Sequence, residues 1–381
     1  MRRPSILSRP LPSFALWEKA RVKRIPLAFE MELTARCNNN CRHCYINLPA
    51  GDREAKAREM DFGFIMDLAD QAVSLGALWC LLTGGEPLLR EDFAEIYLGL
   101  RKKGLLVSVF TNAALIGEKE TELFRSHPPR AIEVSVYGVT SKTEERVTRT
   151  PRSNQAFRKG LDRLLKAGIK VRFKTMALRS NLSELAEIAA FCRARSADFF
   201  RFDPMIHLRI DQNQVRNEEI KNERLAPDEI IALERSDPER LGALERACDS
   251  HFLSERAARD CRHLIYCGAG QSSFLVGWDG RFALCPSLRH PDCLYDLKQG
   301  SLRQAWEQFA PRVLSMESNN SDYLEKCGVC PIVNLCLWCP AHAHLETGEL
   351  DKPVDYFCEV AHARSLALQG TIQGQRKDHT S

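Results

Sequence analysis

Residues 32–45 read ELTARCNNNCRHCY and place Cys37, Cys41 and Cys44 at C-x3-C-x2-C spacing. Three thiolates on one short loop can hold three corners of a cubane iron–sulfur cluster. They cannot complete the four-cysteine ligation that a [4Fe–4S] cluster normally takes, so one iron is left open. Zinc is the other reading. It prefers C-x2-C pairs and four protein ligands, so the bare spacing fits it poorly. The residues just upstream, Ala28–Thr34, read as a strand. The loop therefore sits at a strand's C-terminal end, where parallel α/β sheets gather their ligands.

Working outward, β-type runs alternate with helical patterns from about residue 28 to 204. The other strand candidates are Leu78–Thr83, Leu105–Thr111, Ala131–Val136, Ile169–Ala177 and Asp198–Pro204. Between them lie apolar stripes at helical spacing. Ile65, Leu68, Ala69, Ala72 and Leu75 form one, Phe93, Ile96, Tyr97 and Leu100 another, and Phe157, Leu161, Leu164 and Leu165 a third, closed by Gly168. Such alternation predicts right-handed βαβ units and a parallel sheet. The expected fold is α/β, a partial (β/α)6 barrel with a C-terminal cysteine-rich iron–sulfur domain.

The chain has 381 residues, 44% of them hydrophobic and 27% charged, which excludes global disorder and allows a large core. Net charge is +4, from 54 basic and 50 acidic residues, too balanced to argue for nucleic acid. No apolar run approaches the roughly 18 residues of a spanning helix, so no membrane contact is expected. The N-terminal arm, residues 1–27, is basic but lacks the apolar h-region of a secretory signal. A basic surface arm is favoured over an Arg-rich transit peptide, and the expected location is the cytoplasm. There, 15 cysteines are read as metal ligands before disulfides.

Residues 211–260 are dense in charge and read as a loosely packed helical connector between a core at 28–210 and a second domain at 261–360, with Asp228–Glu245 helical. The tail at 361–381 reads as frayed. The second domain holds Cys261-x5-Cys267-x17-Cys285, then Cys327-x2-Cys330-x5-Cys336-x2-Cys339 and finally Cys358. Eight cysteines suffice for two complete four-cysteine clusters; a pair of zinc sites is the other reading. Asp279-Gly280 suits a tight hairpin turn. Cys80 and Cys192 read as core cysteines. Cys248, Cys293, His207, His342 and His344 receive no role.

The C-x3-C-x2-C loop after the first strand resembles the radical S-adenosylmethionine (radical SAM) superfamily. There the open iron chelates the cofactor's amino and carboxylate groups, and one electron releases a 5′-deoxyadenosyl radical. His43 stands where an aromatic residue is common, with Tyr45 following. The resemblance extends over about residues 28–210. Gly84-Gly85-Glu86-Pro87, ending the second strand, resembles the family's GGE motif, which implies Glu86 near the methionine amine. Asn112 at the third strand end and Ser135 at the fourth are implied cofactor contacts, Ser135 toward the ribose. Tyr137 stands where many members carry Asp. Arg201, at the sixth strand end, is either a partner for the cofactor carboxylate or a barrel-closing salt bridge.

The C-terminal pattern resembles the SPASM domain of peptide- and protein-modifying members, with Cys336 and Cys339 separated by two residues instead of three. The resemblance implies one auxiliary cluster on Cys261, Cys267, Cys285 and Cys339, and another on Cys327, Cys330, Cys336 and Cys358. With the first loop this makes three [4Fe–4S] clusters plus S-adenosyl-L-methionine. It further implies a peptide or protein substrate and an electron donor such as flavodoxin or ferredoxin. Too few residues precede Cys37 for a winged-helix leader-binding domain, so a separate leader-recognition protein or direct capture is expected. Pro286, where sulfatase-maturing members carry Asp, and Tyr45-Ile46-Asn47 both count against that subfamily. The alternatives are a small-molecule or cofactor-pathway substrate and a non-catalytic metal-binding module.

Overall fold

The computed structural model describes residues 15–378 apart from 199, 239, 243–261 and 337. Six parallel strands lie side by side in chain order: β1 (Ala28–Thr34), β2 (Trp79–Gly84), β3 (Leu106–Thr111), β4 (Ile132–Ser135), β5 (Val171–Met176) and β6 (Arg201–Asp203). Neighbours in space that are also neighbours in sequence mean that every crossover runs the same way. All helices then fall on one face, and the sheet curls into an open barrel.

Alternation along the strands explains what each face does. In β1, Phe29, Met31 and Leu33 are buried on the helix side, with Val107 and Val109 of β3 and Ile132 and Val134 of β4. They pack on Ile65, Leu68, Tyr97, Leu100, Leu161 and Leu164 of the crossover helices in one core. Burying each such side chain contributes about 1.5–3 kcal/mol. The intervening positions, Glu30, Glu32, Phe110, Glu133 and Lys174, have the opposite phase and face the lumen. The barrel interior is therefore polar, unlike the side-chain-filled core of a closed eight-stranded barrel.

The sheet does not end at β1. Strand β7 (Ser273–Val276) pairs parallel with β1, from Ala28 opposite Ser273 to Met31 opposite Val276. Two antiparallel strands, β8 (Arg281–Ala283) and β9 (Tyr295–Asp296), complete nine in all. The Asp279-Gly280 turn joins β7 to β8, with Gly280 at φ 85°. The C-terminal region thus shares a sheet with the barrel.

Two expectations for the linking segments are corrected. The connector does not pack loosely over its first half: the helices Gln214–Glu223 and Pro227–Ser236 bury Ile220 and Ile230 completely. Pro238 disfavours helix at the residue before it, which matches the end at Ser236; 243–260 lie outside the described residues. The tail is not frayed at 361, because one helix runs Asp355–Asp378. Its Arg364 is 4% exposed, pairs with Glu234 at 2.7 Å and donates to the Leu335 carbonyl at 2.9 Å. At the other end, Arg24 lies 4.8 Å over the Trp306 ring and donates to the Gly270 carbonyl, so the end of the basic arm is docked. Among the described residues no helix is long and apolar enough to cross a membrane.

Candidate metal and cofactor site

The first cysteine loop leaves β1 at Thr34 and crosses the C-terminal end of the barrel. Its shape is set by the glycine pair of β2. Gly84 adopts φ +131°, and a Cβ there would lie 2.2 Å from the Thr34 carbonyl oxygen. At Gly85 a Cβ would lie 2.3 Å from the Arg36 carbonyl oxygen. The Gly85 and Glu86 amides donate to the Thr34 and Arg36 carbonyls at 2.7 and 2.9 Å. The glycines thus let β2 clasp the start of the cysteine loop.

Glu86 is fully buried. Its carboxylate accepts from Thr111 Oγ1 at 2.8 Å, the Asn112 amide at 2.8 Å and the Leu88 amide at 3.2 Å. Burial pushes its carboxyl up to about 7, against the downward pull of those three bonds. Asn112 in turn donates through Nδ2 to Asn38 Oδ1 at 2.8 Å and to Cys37 Sγ at 3.8 Å. The Asn39 amide also donates to Cys37 Sγ, at 3.4 Å. A chain of contacts therefore joins Glu86, Asn112 and Cys37.

Burial raises the Cys37 and Cys41 thiols, and the neighbouring cysteines of the loop raise both further. Among the described residues, Cys37, Cys41 and Cys44 form no disulfide. Thiols such as Cys37 and Cys41, raised by burial and by a neighbouring cysteine's charge, are costly as anions unless a cation sits among them. The chemistry of that donor set, three thiols with no fourth, fits an iron–sulfur cluster. A second sign of fit is that Asn39 Oδ1, His43 Nδ1 and His207 Nδ1 are buried without hydrogen-bond partners at this same end. Buried polar groups are rarely left so. Among the described residues no group of three or more His, Cys, Asp or Glu is arranged to hold a metal ion.

Ser135 ends β4 and bonds to the Tyr137 phenol, whose ring meets His43 edge-on at 4.7 Å. Pro87 is buried at the start of the turn after Glu86. Arg201 opens β6; its side chain lies outside the described residues.

In the C-terminal region, burial pushes the Cys285 thiol up to about 11, with Cys339 and Cys267 adding to the rise. Cys261 lies outside the described residues. Burial pushes Cys336 up to about 12, opposed by a bond from the Trp338 amide and reinforced by Cys327, Cys330 and Cys358. The cysteines thus fall into two electrostatic neighbourhoods, with Cys339 beside Cys285. Cys339 caps the helix Pro340–Thr347, its sulfur accepting from the His342 amide at 3.4 Å. Cys80, Cys192 and Cys293 are 1% exposed and pack in the core. Cys248 lies outside the described residues.

Several residues at this end carry no motif. Arg209, 3% exposed, donates to the Cys44 carbonyl at 3.2 Å and to Asn47 Oδ1 at 2.9 Å. Arg216 donates to the Cys41 carbonyl at 2.8 Å. Glu32 of β1, fully buried, pairs at 2.6 Å with Arg289, which follows Cys285 closely in the chain. His207 stacks on Tyr45 at 5.6 Å and lies 5.1 Å from His342. Only Glu32 had a signal: in Ala28–Thr34 the carboxylates alternate with apolar residues, which marks a strand with one polar face.

Comparison with known proteins bears on this arrangement. The family model of the Radical SAM superfamily matches residues 31–192. The AdoMet-dependent heme synthase of Methanosarcina barkeri is 24% identical over 85% of this chain and 94% of its own length. The PqqA peptide cyclase of Gluconobacter oxydans is 30% identical over 45% of this chain and 47% of its own. The structure of Streptococcus suis SuiB bound to precursor peptide SuiA aligns with a TM-score of 0.61 at 17% identity, covering 94% of this chain and 84% of that one.

Proposed function

We propose, on the premise that this chain carries a radical SAM domain at 31–192 joined to a SPASM-like C-terminal region, that it is an oxidoreductase modifying a peptide or protein side chain. The observation that carries the reading is the grouping of Cys37, Cys41 and Cys44 on one loop beside the strand ends that bear Glu86, Asn112 and Ser135. Bound there, a [4Fe–4S] cluster and S-adenosylmethionine would supply an electron and a 5′-deoxyadenosyl radical. Gly84, Gly85, Glu86 and Pro87 would bind the methionine end, with Asn112 beside them. Ser135 would meet the ribose and Arg201 the carboxylate, which a guanidinium fork fits. The polar lumen would admit a substrate side chain.

Cys261, Cys267, Cys285 and Cys339 would hold one auxiliary cluster, and Cys327, Cys330, Cys336 and Cys358 the other. Four cysteines on each leave no open iron, which favours electron transfer or scaffolding over substrate ligation. Flavodoxin or ferredoxin would supply the electron, and a separate protein could present the substrate's leader.

A second reading, a tetrapyrrole substrate, is favoured by the length of the match to the heme synthase. Against it, the charges that act on Glu30 at the lumen are two carboxylates, Glu32 and Glu133, and two cations, Lys174 and Arg289, which gives no excess of positive charge around Glu30 for propionates. The test is anaerobic reconstitution with dithionite and S-adenosylmethionine, following 5′-deoxyadenosine and iron. Deoxyadenosine with about 12 irons per chain supports the radical reading; zinc in place of iron defeats it. Turnover that rises with a peptide and not with a porphyrin supports the first substrate class, and the reverse supports the second. Glu86→Ala should weaken S-adenosylmethionine binding with iron retained, and unchanged affinity would remove Glu86 from the site.

A further inference from the structure

The cysteine loop is ringed by guanidinium groups from outside the barrel strands. Arg216 of the Gln214–Glu223 helix donates from Nη2 to the Cys41 carbonyl at 2.8 Å and from Nη1 to Asn40 Oδ1 at 2.7 Å. Arg149 donates to the Asn40 carbonyl at 3.1 Å. Arg209 reaches the Cys44 carbonyl at 3.2 Å and the Asn47 carbonyl at 3.2 Å. The carbonyls of two of the three loop cysteines, Cys41 and Cys44, are therefore each held by a guanidinium.

The charges around these groups do not cancel evenly. Arg209 is matched by Asp211 at 2.6 Å. Arg149 and Arg216 share one carboxylate, Glu219, at 2.7 and 3.3 Å. Arg216 thus has no carboxylate of its own where it meets the loop, while the carboxyls that act on Cys41 and Cys37, Glu144 and Glu86, come from other elements. Arg216 is partly buried, with 17% of its side chain exposed, so solvent screens it incompletely.

A cubane held by three thiolates is anionic and gains further negative charge on reduction. A fixed cation nearby favours the reduced form, and net charge is among the determinants of cluster potential. We propose that Arg216 is a positioning residue for the first cysteine loop: it holds the Cys41 carbonyl and raises the reduction potential of the cluster that Cys37, Cys41 and Cys44 would carry. The proposal rests on the cluster reading above and assigns a role to a segment that the sequence marks only as charged connector.

The experiment is a redox titration of the full-length, anaerobically reconstituted protein, followed by electron paramagnetic resonance. The first cluster is identified as the signal that changes when S-adenosylmethionine is added. In Arg216→Gln, the reduced-to-oxidised ratio of that signal at fixed potential is expected to fall about tenfold, which is about 59 mV for one electron. Arg216→Lys, which keeps the charge, should stay within about threefold of the parent, about 28 mV. An unchanged midpoint in a fully loaded Arg216→Gln overturns the proposal. If Arg216→Gln fails to load the cluster, Arg216→Lys decides: a loaded lysine variant with the parental ratio supports the charge assignment, and one that also loses iron or shifts tenfold overturns it. A parent protein with no S-adenosylmethionine-sensitive signal fails the cluster reading itself, a separate result.

Discussion

The two sets of cysteines differ in how far the polypeptide alone sets their geometry. On the first loop, the Asn40 and Arg42 amides donate to the Thr148 and Val147 carbonyls, guanidinium groups hold the carbonyls of Cys41 and Cys44, and β2 clasps the start. In the C-terminal region, Cys267 and Cys358 are exposed, and the cysteines sit on short turns and helix ends. The difference teaches where preorganisation is needed. A loop that presents three thiols and leaves a position open must keep its shape as its ligand comes and goes. A closed four-cysteine site can take its shape from the group it holds, since metal-binding free energy is then folding free energy.

Changing all three cysteines of the first loop to Ala is the largest test. Iron should fall from about 12 to about 8 per chain, and S-adenosylmethionine cleavage should vanish while the C-terminal signals persist. Cleavage that survives would defeat the assignment of the first loop. By contrast, Cys327→Ala with Cys330→Ala should lower the thermal midpoint of the C-terminal region and leave the signal sensitive to S-adenosylmethionine. Loss of that signal would mean that the two regions are shaped together.

Stability separates them further. Arg364→Met leaves the buried Glu234 with Arg240 alone, at 3.3 Å, so denaturant unfolding should show a loss of about 1.5–3 kcal/mol, the range for a hydrogen bond to a charged group. A loss below about 1 kcal/mol would show that this pair does not anchor the C-terminal helix to the rest. Gly85→Ala forces a Cβ against the Arg36 carbonyl and should cost about 1–3 kcal/mol, with poorer iron loading at the first loop only.

A further effect is a pH dependence. Burial pushes the Glu144 carboxyl up to about 7 while it accepts from the Tyr137 amide. A folded-state value above the unfolded one favours the protonated form. Its contribution is then full below the unfolded value and is lost as pH rises through about 7. Inside that window the slope is about 1.4 kcal/mol per pH unit. Glu144→Gln should flatten this part of the stability curve, measured by denaturant midpoints from pH 5 to 8, and an unaltered slope would place the titration elsewhere.

Much of this was legible in the chain. The six strands were marked by apolar runs and the helices by stripes such as Phe93, Ile96, Tyr97 and Leu100, because burial on one face imposes a period. The cysteine spacings and Gly84-Gly85-Glu86 marked the site, because ligation and close backbone approach allow few residue types. Arg209 and Arg216 were not legible. A buried guanidinium that holds a carbonyl far along the chain leaves no periodicity, and in a segment rich in charge it resembles a solvated residue. The tail was misjudged for the same reason: Arg364 looks like a surface charge until Glu234 is beside it.

The sequence by itself determined the local chemistry: three thiols after the first strand, eight more at cluster spacing toward the C-terminus, and helices and strands of definite period. Only the tertiary structure decided which groups meet. It set β7 against β1 so that the C-terminal region continues the barrel sheet, and it brought Arg289 to Glu32 and Arg216 to Cys41. The physical reason is that periodicity and motif spacing record short-range constraints, whereas pairings between distant residues are fixed by how the elements pack.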